Sequence, residues 1–409
     1  MSLAPLSLAT AHQRITQLAA LTSVHRAFSW LHLQQQRLRD WQIDLIRIPA
    51  PPFGEAARAE WMCDRFRDLG LYNIHIDSEG NALSFLREPT EDEPLILLSA
   101  HIDTVFPAET DFEPRIDGTI LRAPGSCDNA AGVTALLAIA AALTHAQISP
   151  TCNILFAANV GEEAEGDLRG MRHLFHRSAY ARHISAAIAL EGSGTETVVT
   201  RGLGSKRFRV TLRGAGGHSW TDAATPNPIA TLARAISRLY EAELPRTPRT
   251  TINVGTISGG SGVTAVPQLA QADFDLRSVN ADELVRCEVL LFRAVEDAVI
   301  EANADAAKDA AISFIIEPTG NRPAADLPQN SPLLESVHAV DRHLSIRTEQ
   351  RIGSTDANLP LALGIPAIAI GAGGTGGGIH TTDEWYDTRN RELALRRVLL
   401  VLLDVCEWG

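Results

Sequence analysis

The chain has 409 residues, of which 45% are hydrophobic and 21% charged, and its formal net charge is −13. This length exceeds one ordinary hydrophobic core, so two domains are expected. The acidic balance argues against nucleic acid or an anionic membrane as the main partner, and no apolar run is long enough for a transmembrane helix.

Two further features bear on the compartment. The segment Met1–Val24 lacks a basic stretch followed by an apolar one, so no signal peptide is expected there. The five cysteines are odd in number and scattered, which favours a reducing compartment over a disulfide framework. We therefore expect a cytoplasmic protein.

The first hundred residues predict helices followed by strands. Apolar residues at helical spacing predict helices over 11–48, and the prolines that follow interrupt them. A further amphipathic helix is predicted over 54–69, with Gly70 just beyond its end. Short strands are expected over 72–77 and 82–86, whereas the polar segment 111–122 is expected to be irregular.

Four short apolar runs predict buried strands, and acidic or histidine side chains follow each of them. The strands and the side chains after them are Leu95–Ala100 with His101 and Asp103, Asn153–Ala158 with Glu162 and Glu163, Ser185–Leu190 with Glu191, and Ile365–Ile370 with His380 beyond a glycine-rich loop. An alanine-rich helix over 133–143 has Asp128 or Asn129 near its start. If the sheet is doubly wound and mainly parallel, these side chains converge at one edge.

The pattern changes after Gly204. Periodicity there predicts the order β-α-β-β-α-β of a ferredoxin-like unit: strands over 206–213, 250–257, 269–278 and 311–316, and helices over 228–244 and 281–304. We therefore expect an α/β catalytic domain over 1–203 and 319–409, with an inserted α+β lid or dimerisation domain over 204–318. A loop over 317–332 leads back to helices over 332–343 and 358–363, with a glycine turn between them. A C-terminal helix over 392–408 completes the chain.

Each polar residue at a strand end has an ordinary explanation by itself. An acid after a strand is usually solvated, a lone histidine is usually a satisfied polar group, and Asp128 alone fits a helix cap. Several acids packed together would repel each other strongly, however. A pair of divalent cations removes that repulsion.

Two imidazoles and several carboxylates without a cysteine cluster suit Zn²⁺ with open positions, with Mn²⁺ or Co²⁺ as substitutes. Two such ions sharing a carboxylate, about 3.5–4 Å apart, would hold a hydroxide and polarise a carbonyl. One carboxylate must then remain free as general base. The side chains of adjacent Glu162 and Glu163 diverge, so one can bind metal while the other faces the water.

Five separated motifs carry a family resemblance. They are Ala100-His101-Ile102-Asp103-Thr104-Val105-Phe106-Pro107, Cys127-Asp128-Asn129-Ala130-Ala131-Gly132, Gly161-Glu162-Glu163, Gly166-Asp167-Leu168-Arg169-Gly170, and Gly378-Ile379-His380-Thr381-Thr382-Asp383-Glu384-Trp385. Together they resemble the co-catalytic zinc amidohydrolases and metallopeptidases, which include peptidase T, glutamate carboxypeptidase, acetylornithine deacetylase and succinyl-diaminopimelate desuccinylase. The resemblance covers most of the chain after about residue 40.

The resemblance implies a role for each matched position. Asp128 would bridge two zinc ions, His101 and Glu191 would hold one of them, and Glu163 and His380 the other. Asp103 would orient His101, and Glu162 would be the general base. A cis peptide bond is implied between Asp128 and Asn129.

The inserted domain has candidates of its own by the same resemblance. His218, in a glycine-rich turn, would stabilise the oxyanion, often from the partner subunit of a homodimer. Asn253 and Arg277 match positions that contact substrate, and a guanidinium there would pair with a carboxylate. The plain alternatives are that His218 is a turn residue and that Arg277 pairs with a surface acid. The glycines over 371–378 lack the context of a P-loop, and close backbone approach to substrate is expected of them.

The implied activity is hydrolysis of an amide bond in a small peptide or an N-acyl amino acid. Ala100 departs from the usual glycine of the family, a change expected only to tighten packing. Glu191 favours carboxypeptidase or deacylase use, whereas the segments Thr200–Lys206 and Ser354–Asn358 favour peptidase-T-like members, so the substrate class stays open. The alternatives are a deacetylase or desuccinylase, a non-catalytic metal-binding homologue, and a cysteine hydrolase that uses Cys127.

Overall fold

The computed structural model describes residues 10–407, so the predicted helix end at Trp408 lies outside the described residues. The chain divides into two compact units. The first runs to Gly202 and resumes at Asp326, and the second spans Leu203–Ala325.

Within residues 10–407 the chain forms eleven α-helices. They are α1 Ala11–Ala19, α2 Thr22–Leu33, α3 Gln35–Ile46, α4 Ala56–Asp68, α5 Ala130–Ala146, α6 Arg169–His176, α7 Pro228–Glu241, α8 Ala281–Ala302, α9 Pro332–Leu344, α10 Asn358–Ala362 and α11 Arg391–Cys406.

The same residues form strands that belong to four sheets. They are β1 Tyr72–Ile76, β2 Ala82–Phe85, β3 Leu95–His101, β4 Arg115–Asp117, β5 Ile120–Arg122, β6 Asn153–Asn159, β7 Ile184–Leu190, β8 Thr197–Gly202, β9 Gly204–Arg213, β10 Gly217–His218, β11 Thr250–Gly259, β12 Ala265–Val266, β13 Leu269–Ser278, β14 Ser313–Arg322, β15 Ala325–Asp326, β16 Glu349–Gly353, β17 Ala367–Ile370, β18 Thr375–Gly377 and β19 Trp385–Asp387.

The main sheet of the first unit has a parallel centre. Its strands lie in the order β1-β2-β6-β3-β7-β17-β8-β15. The four central strands β6, β3, β7 and β17 are parallel to one another, whereas β2 pairs antiparallel with β6 and β8 pairs antiparallel with β17. Helices cover a parallel sheet on both faces, which is why these strands read as continuous apolar runs. The predicted α/β class with a mainly parallel sheet is confirmed.

The start of α5 lies directly against the end of β7. Asn129 caps the helix, and its side-chain oxygen accepts the N–H of Gly132. A Cβ on Gly132 would lie 2.5 Å from the carbonyl oxygen of Leu190, so only glycine permits this approach. The approach places Asp128, just before the cap, beside Glu191, just after β7. Asp128 itself does not cap the helix.

The second unit has the predicted ferredoxin-like order. Its sheet runs β11-β13-β9-β14, with β13 antiparallel to both β11 and β9. Residues along β13 alternate between buried and half-buried, as expected for a sheet with one covered face. The helices α7 and α8 supply Leu232, Leu291 and Val295 to the core against that face.

Several element predictions were wrong. Strand β14 continues to Arg322, where a loop was expected from residue 317, and β4 and β5 form a hairpin inside the segment expected to be irregular. Strands β8 and β16, which pair in parallel, were not predicted. Strands β4 and β16 are almost wholly exposed, so backbone pairing holds them and no apolar pattern marks them.

Candidate metal centre

Two acidic side chains of the first unit lie against His101, the last residue of β3. Its Nε2 lies 3.1 Å from Oδ1 of Asp128 and 3.4 Å from Oε1 of Glu191. The His101 side chain is buried, whereas that of Glu191 is 23% exposed. One imidazole nitrogen thus faces oxygens from two separate segments of the chain.

A second group forms around His380, beyond the glycine-rich loop. Its Nε2 lies 3.1 Å from Oε1 of Glu163 and 3.2 Å from Oδ2 of Asp128. The two oxygens of Asp128 therefore face different histidines. A carboxylate shared between two adjacent metal ions needs this arrangement.

The polar atoms at this place fit a cation better than they fit each other. Within residues 10–407, the buried Nδ1 and Nε2 of His101 and Oδ1 of Asp128 have no partner in hydrogen-bond geometry. Buried polar atoms without partners are costly. His101, Asp128 and Glu163 each offer a ligand atom, and these atoms lie within 4.8 Å of one another. Imidazole nitrogen with carboxylate oxygen is a donor set suited to a divalent metal.

The carboxylates and imidazoles shift one another's protonation strongly. Burial opposes the charged form of His101, but the carboxylates of Glu191, Asp103 and Asp128 outweigh burial and raise the pKa of His101. Hydrogen bonds with Asp128 and Glu163 raise the pKa of His380 to about 10. Burial raises the pKa of Glu191 to about 7, against the attraction of His101. The metal-free site therefore holds protons that a metal would displace.

Asp103 links the first histidine to the two adjacent glutamates. It is fully buried, and its Oδ1 lies 3.4 Å from Nδ1 of His101. Its carboxylate also accepts the backbone N–H of Glu162 at 3.0 Å and of Glu163 at 2.7 Å. One side chain thus fixes both the end of β3 and the turn after β6. The sequence indicated the contact with His101 but not the two backbone contacts.

The turn that carries Glu162 and Glu163 is fixed from its other side by Arg169. Gly161 has a φ of +65°, and a Cβ there would lie 2.5 Å from the Arg169 side chain. Arg169 donates to Glu55 at 2.7 Å and to the carbonyl of Glu79 at 2.6 Å. Both glutamates of the turn are buried. Arg169 belongs to one of the five motifs, and in the structure it packs behind the turn.

Two buried charged residues near the site were not identified from the sequence. The carboxylate of Glu384 accepts three backbone N–H groups around Asp128, and burial raises its pKa to about 7. Arg58, in α4, donates to the carbonyls of Ile48 and Ile102 at 2.7 and 2.8 Å. Glu384 stands in the same motif as His380, which was the available signal. For Arg58 the sequence offered none, since a basic residue in an amphipathic helix is normally exposed.

The peptide bond between Asp128 and Asn129 is cis, as the resemblance implied. Cys127, the residue before Asp128, has a buried thiol, and burial raises its pKa to about 12. A nucleophilic cysteine needs a lowered pKa and access to substrate. The environment of Cys127 weighs against the cysteine-hydrolase alternative.

The glycines between β17 and His380 pack against the chain itself. A Cβ on Gly371 would lie 2.3 Å from the carbonyl oxygen of Gly194, and one on Gly376 would lie 2.4 Å from Sγ of Cys127. A Cβ on Gly373 would lie 2.6 Å from Cα of Arg391. At these three positions internal packing by itself requires glycine, and the expected approach of the loop to substrate stays a prediction.

The remaining candidates lie in the second unit. His218 is exposed on β10, and its Nδ1 accepts the N–H of Trp220 at 3.1 Å. Asn253 is exposed on β11, opposite Asp275 of β13. Arg277 donates to Asp275 at 2.6 Å, with its side chain 43% exposed. The partly exposed acid considered as the plain alternative for Arg277 is thus present.

Comparison with known proteins identifies relatives of this chain. The model of peptidase family M20/M25/M40 matches residues 97–404. A probable carboxypeptidase of Aspergillus oryzae is 29% identical over an alignment of 286 residues, and the match covers 62% of this chain and 64% of the fungal protein. The chain therefore spans just under two thirds of that relative.

Solved structures share the fold. The aminopeptidase PepT from Bacillus cereus has a TM-score of 0.72 at 20% identity, covering 91% of this chain and 98% of that one. A tripeptidase from Staphylococcus aureus has a TM-score of 0.73 at 21% identity, covering 92% and 99%. At such identities the likeness concerns the fold, including the sheet whose strand ends carry the site.

Proposed function

Because the chain belongs to peptidase family M20/M25/M40, we propose that it is a dimetal hydrolase that cleaves the amide bond of small peptides or N-acyl amino acids. The observation that carries the proposal is the position of Asp128. Its two carboxylate oxygens face His101 and His380, each of which also faces a glutamate. This is a complete donor set for two adjacent ions.

We assign His101 and Glu191 to one metal ion, Glu163 and His380 to the other, and Asp128 to both. Zinc is the favoured metal, with Mn²⁺ or Co²⁺ as substitutes, because imidazole and carboxylate ligands suit all three. Bound zinc would act as a Lewis acid on the scissile carbonyl and would lower the pKa of water. Asp103 is not assigned as a metal ligand, because its carboxylate oxygens already accept the backbone N–H groups of Glu162 and Glu163.

Glu162 is assigned as the general base. Its side chain is buried beside the metal ligand Glu163, on a turn held by Asp103 and Arg169. It would take a proton from the attacking water and return it to the leaving amine. The expelled amine then leaves as a neutral group, and Glu162 is restored as a carboxylate.

Recognition of substrate is assigned to the second unit. We propose that His218 stabilises the developing oxyanion and that Asn253 and Arg277 contact the substrate, with the guanidinium pairing a carboxylate. Peptides and N-acyl amino acids both present such a carboxylate. Among the relatives, the fungal one is named a probable carboxypeptidase and the bacterial ones an aminopeptidase and a tripeptidase. These names differ in the type of peptidase, and the substrate panel below decides between peptidase and deacylase.

A substrate panel tests the proposal. Di- and tripeptides with free or amidated termini, N-acetyl amino acids and N-succinyl amino acids are compared by kcat/KM with the zinc-loaded protein. We expect a free C-terminal carboxylate to be required, and Arg277→Ala to raise KM for those substrates more than it lowers kcat. Arg209→Ala is the matched control, because Arg209 forms a similar half-exposed pair with Asp273 in the same sheet.

The panel also separates the alternatives. Zinc binding without turnover of any amide would favour the non-catalytic metal-binding homologue. Preference for N-acyl amino acids over every peptide would favour the deacylase. Equal use of amidated and free C-termini would contradict the role given to Arg277.

We propose that the protein is a homodimer joined through the second unit. Strand β11 lies at the edge of its sheet. Ile257 on this strand is 60% exposed, and Tyr240 of α7 is exposed to a similar extent, 57%. A free edge strand with exposed apolar side chains is usually covered by a partner. Light scattering is expected to give twice the mass of one chain, and Ile257→Asp to give that of a single chain, whereas Ile300→Asp, also exposed but on α8, should not change it.

We also propose a cytoplasmic location. All five cysteines are unpaired and buried, as expected in a reducing compartment. No described helix is long and apolar enough to cross a bilayer.

A further inference from the structure

The buried carboxylate of Glu384 is saturated by the backbone of one turn. Its Oε1 accepts the N–H of Cys127 at 2.7 Å and of Asp128 at 2.8 Å, and its Oε2 accepts the N–H of Gly125 at 2.9 Å. The residue is fully buried. Both of its oxygens are therefore directed at the backbone around Asp128.

Among the described residues, no other side chain accepts a hydrogen bond from these three N–H groups. Gly125 has a φ of +72°, and the residue after Asp128 begins the cap of α5. The turn is short and irregular, so its N–H groups have no strand or helix partners. A carboxylate with two oxygens is suited to collect three of them, because charged acceptors form the stronger hydrogen bonds.

A negative charge at this place is costly, since Asp128 is itself a carboxylate. Like charges held in a buried site repel. A positive charge near Glu384 is supplied by Arg58, which is fully buried, attracts the carboxylates of Asp103 and Glu384, and donates to the carbonyl of Ile102. A neutral side chain would avoid the repulsion with Asp128. A carboxylate at this position is therefore explained by its two acceptor oxygens, which bind three backbone N–H groups.

We propose that Glu384 is a positioning residue for the metal centre: by gathering the three N–H groups, it holds Asp128 so that each carboxylate oxygen reaches one metal position. The proposal rests on the dimetal function proposed above. Glu384 touches neither metal nor substrate in this role. It acts through the backbone of Asp128, as outer partners of metal ligands commonly do.

The test is a metal titration of Glu384→Gln. The glutamine amide keeps one acceptor oxygen, but its NH₂ group replaces the other oxygen and cannot accept a backbone N–H. One or two of the three hydrogen bonds are therefore lost. We expect zinc affinity, measured by competition with a chromophoric chelator, to fall by about 10–100-fold, as for other outer partners of metal ligands. The visible absorption of the Co²⁺-loaded protein is expected to change as well. Asp383→Asn is the matched control, because it removes an adjacent exposed carboxylate, and it should change neither readout.

The outcomes separate this inference from the proposed function. If wild-type protein binds no metal, the proposed function fails. If wild type binds two ions and Glu384→Gln binds them with equal affinity and an unchanged Co²⁺ spectrum, only the positioning role is overturned. Glu384→Asp provides a second variant, which keeps the charge but withdraws the oxygens, and it should also weaken binding. If neither variant yields folded metal-free protein by circular dichroism, Glu384 is a requirement of the fold and the inference is overturned.

Discussion

Glu162→Gln is expected to lower kcat by about 10²–10⁴-fold, the usual contribution of a general base or acid, while two metal ions remain bound. The amide is nearly the size of the carboxylate, so the buried turn is preserved. It cannot take a proton from water, however, and it cannot return one to the leaving amine. Steady-state kinetics on the preferred substrate and metal analysis of the same sample measure the two effects.

Glu165→Gln is the control for this substitution. Glu165 lies three residues further along, in the short 3₁₀ turn Ala164–Gly166, and its side chain is exposed. It should retain wild-type kinetics. Near-wild-type turnover by Glu162→Gln would contradict the assigned role. Loss of metal from Glu162→Gln, with metal retained by Glu163→Gln, would instead exchange the roles of the two glutamates.

Removal of metal by EDTA is expected to abolish amide hydrolysis, and Zn²⁺ is expected to restore it. Without the cations, nothing polarises the scissile carbonyl or lowers the pKa of the attacking water. The melting temperature should fall too, because a ligand present at 100 times its dissociation constant stabilises the folded state by about 2.7 kcal/mol. Activity and calorimetry on the stripped and reloaded protein measure both effects.

EDTA already loaded with zinc is the control, since it adds the chelator without removing metal. Full activity after complete demetallation, verified by elemental analysis, would contradict the dimetal mechanism. Activity restored by Mg²⁺ but not by Zn²⁺, Mn²⁺ or Co²⁺ would contradict the choice of metals.

Zinc binding to the metal-free protein is expected to weaken as the pH falls, because the histidines of the site become protonated. The pKa of His380 is raised to about 10 without metal, and that of His101 is also raised. These raised pKa values favour the protonated imidazoles, and a metal must displace those protons. Lowering the pH therefore weakens zinc binding, by about tenfold per pH unit for each proton displaced. Calorimetric titration in buffers of different ionisation enthalpy counts the protons released.

Much of the architecture could be predicted because it follows from local patterns. The four central strands are continuous apolar runs, and the alternation along β13 marks a sheet with one covered face. Two of the strands that prediction missed, β4 and β16, are exposed and held by backbone pairing, β16 with the distant strand β8. No periodicity marks a strand whose side chains face water on both sides.

The candidate site divides in the same way. By itself the sequence determined that His101, Glu163, Glu191 and His380 follow strands whose carboxyl ends meet at one edge, because polar residues after apolar runs are a local signal. Only the tertiary structure decided how they meet: Asp128 divides its oxygens between two histidines, and Asp103 holds two backbone N–H groups. Glu384 and Asp128 are 256 residues apart. Contacts between side chain and backbone over such a separation depend on how the chain packs, and no spacing in the sequence encodes them.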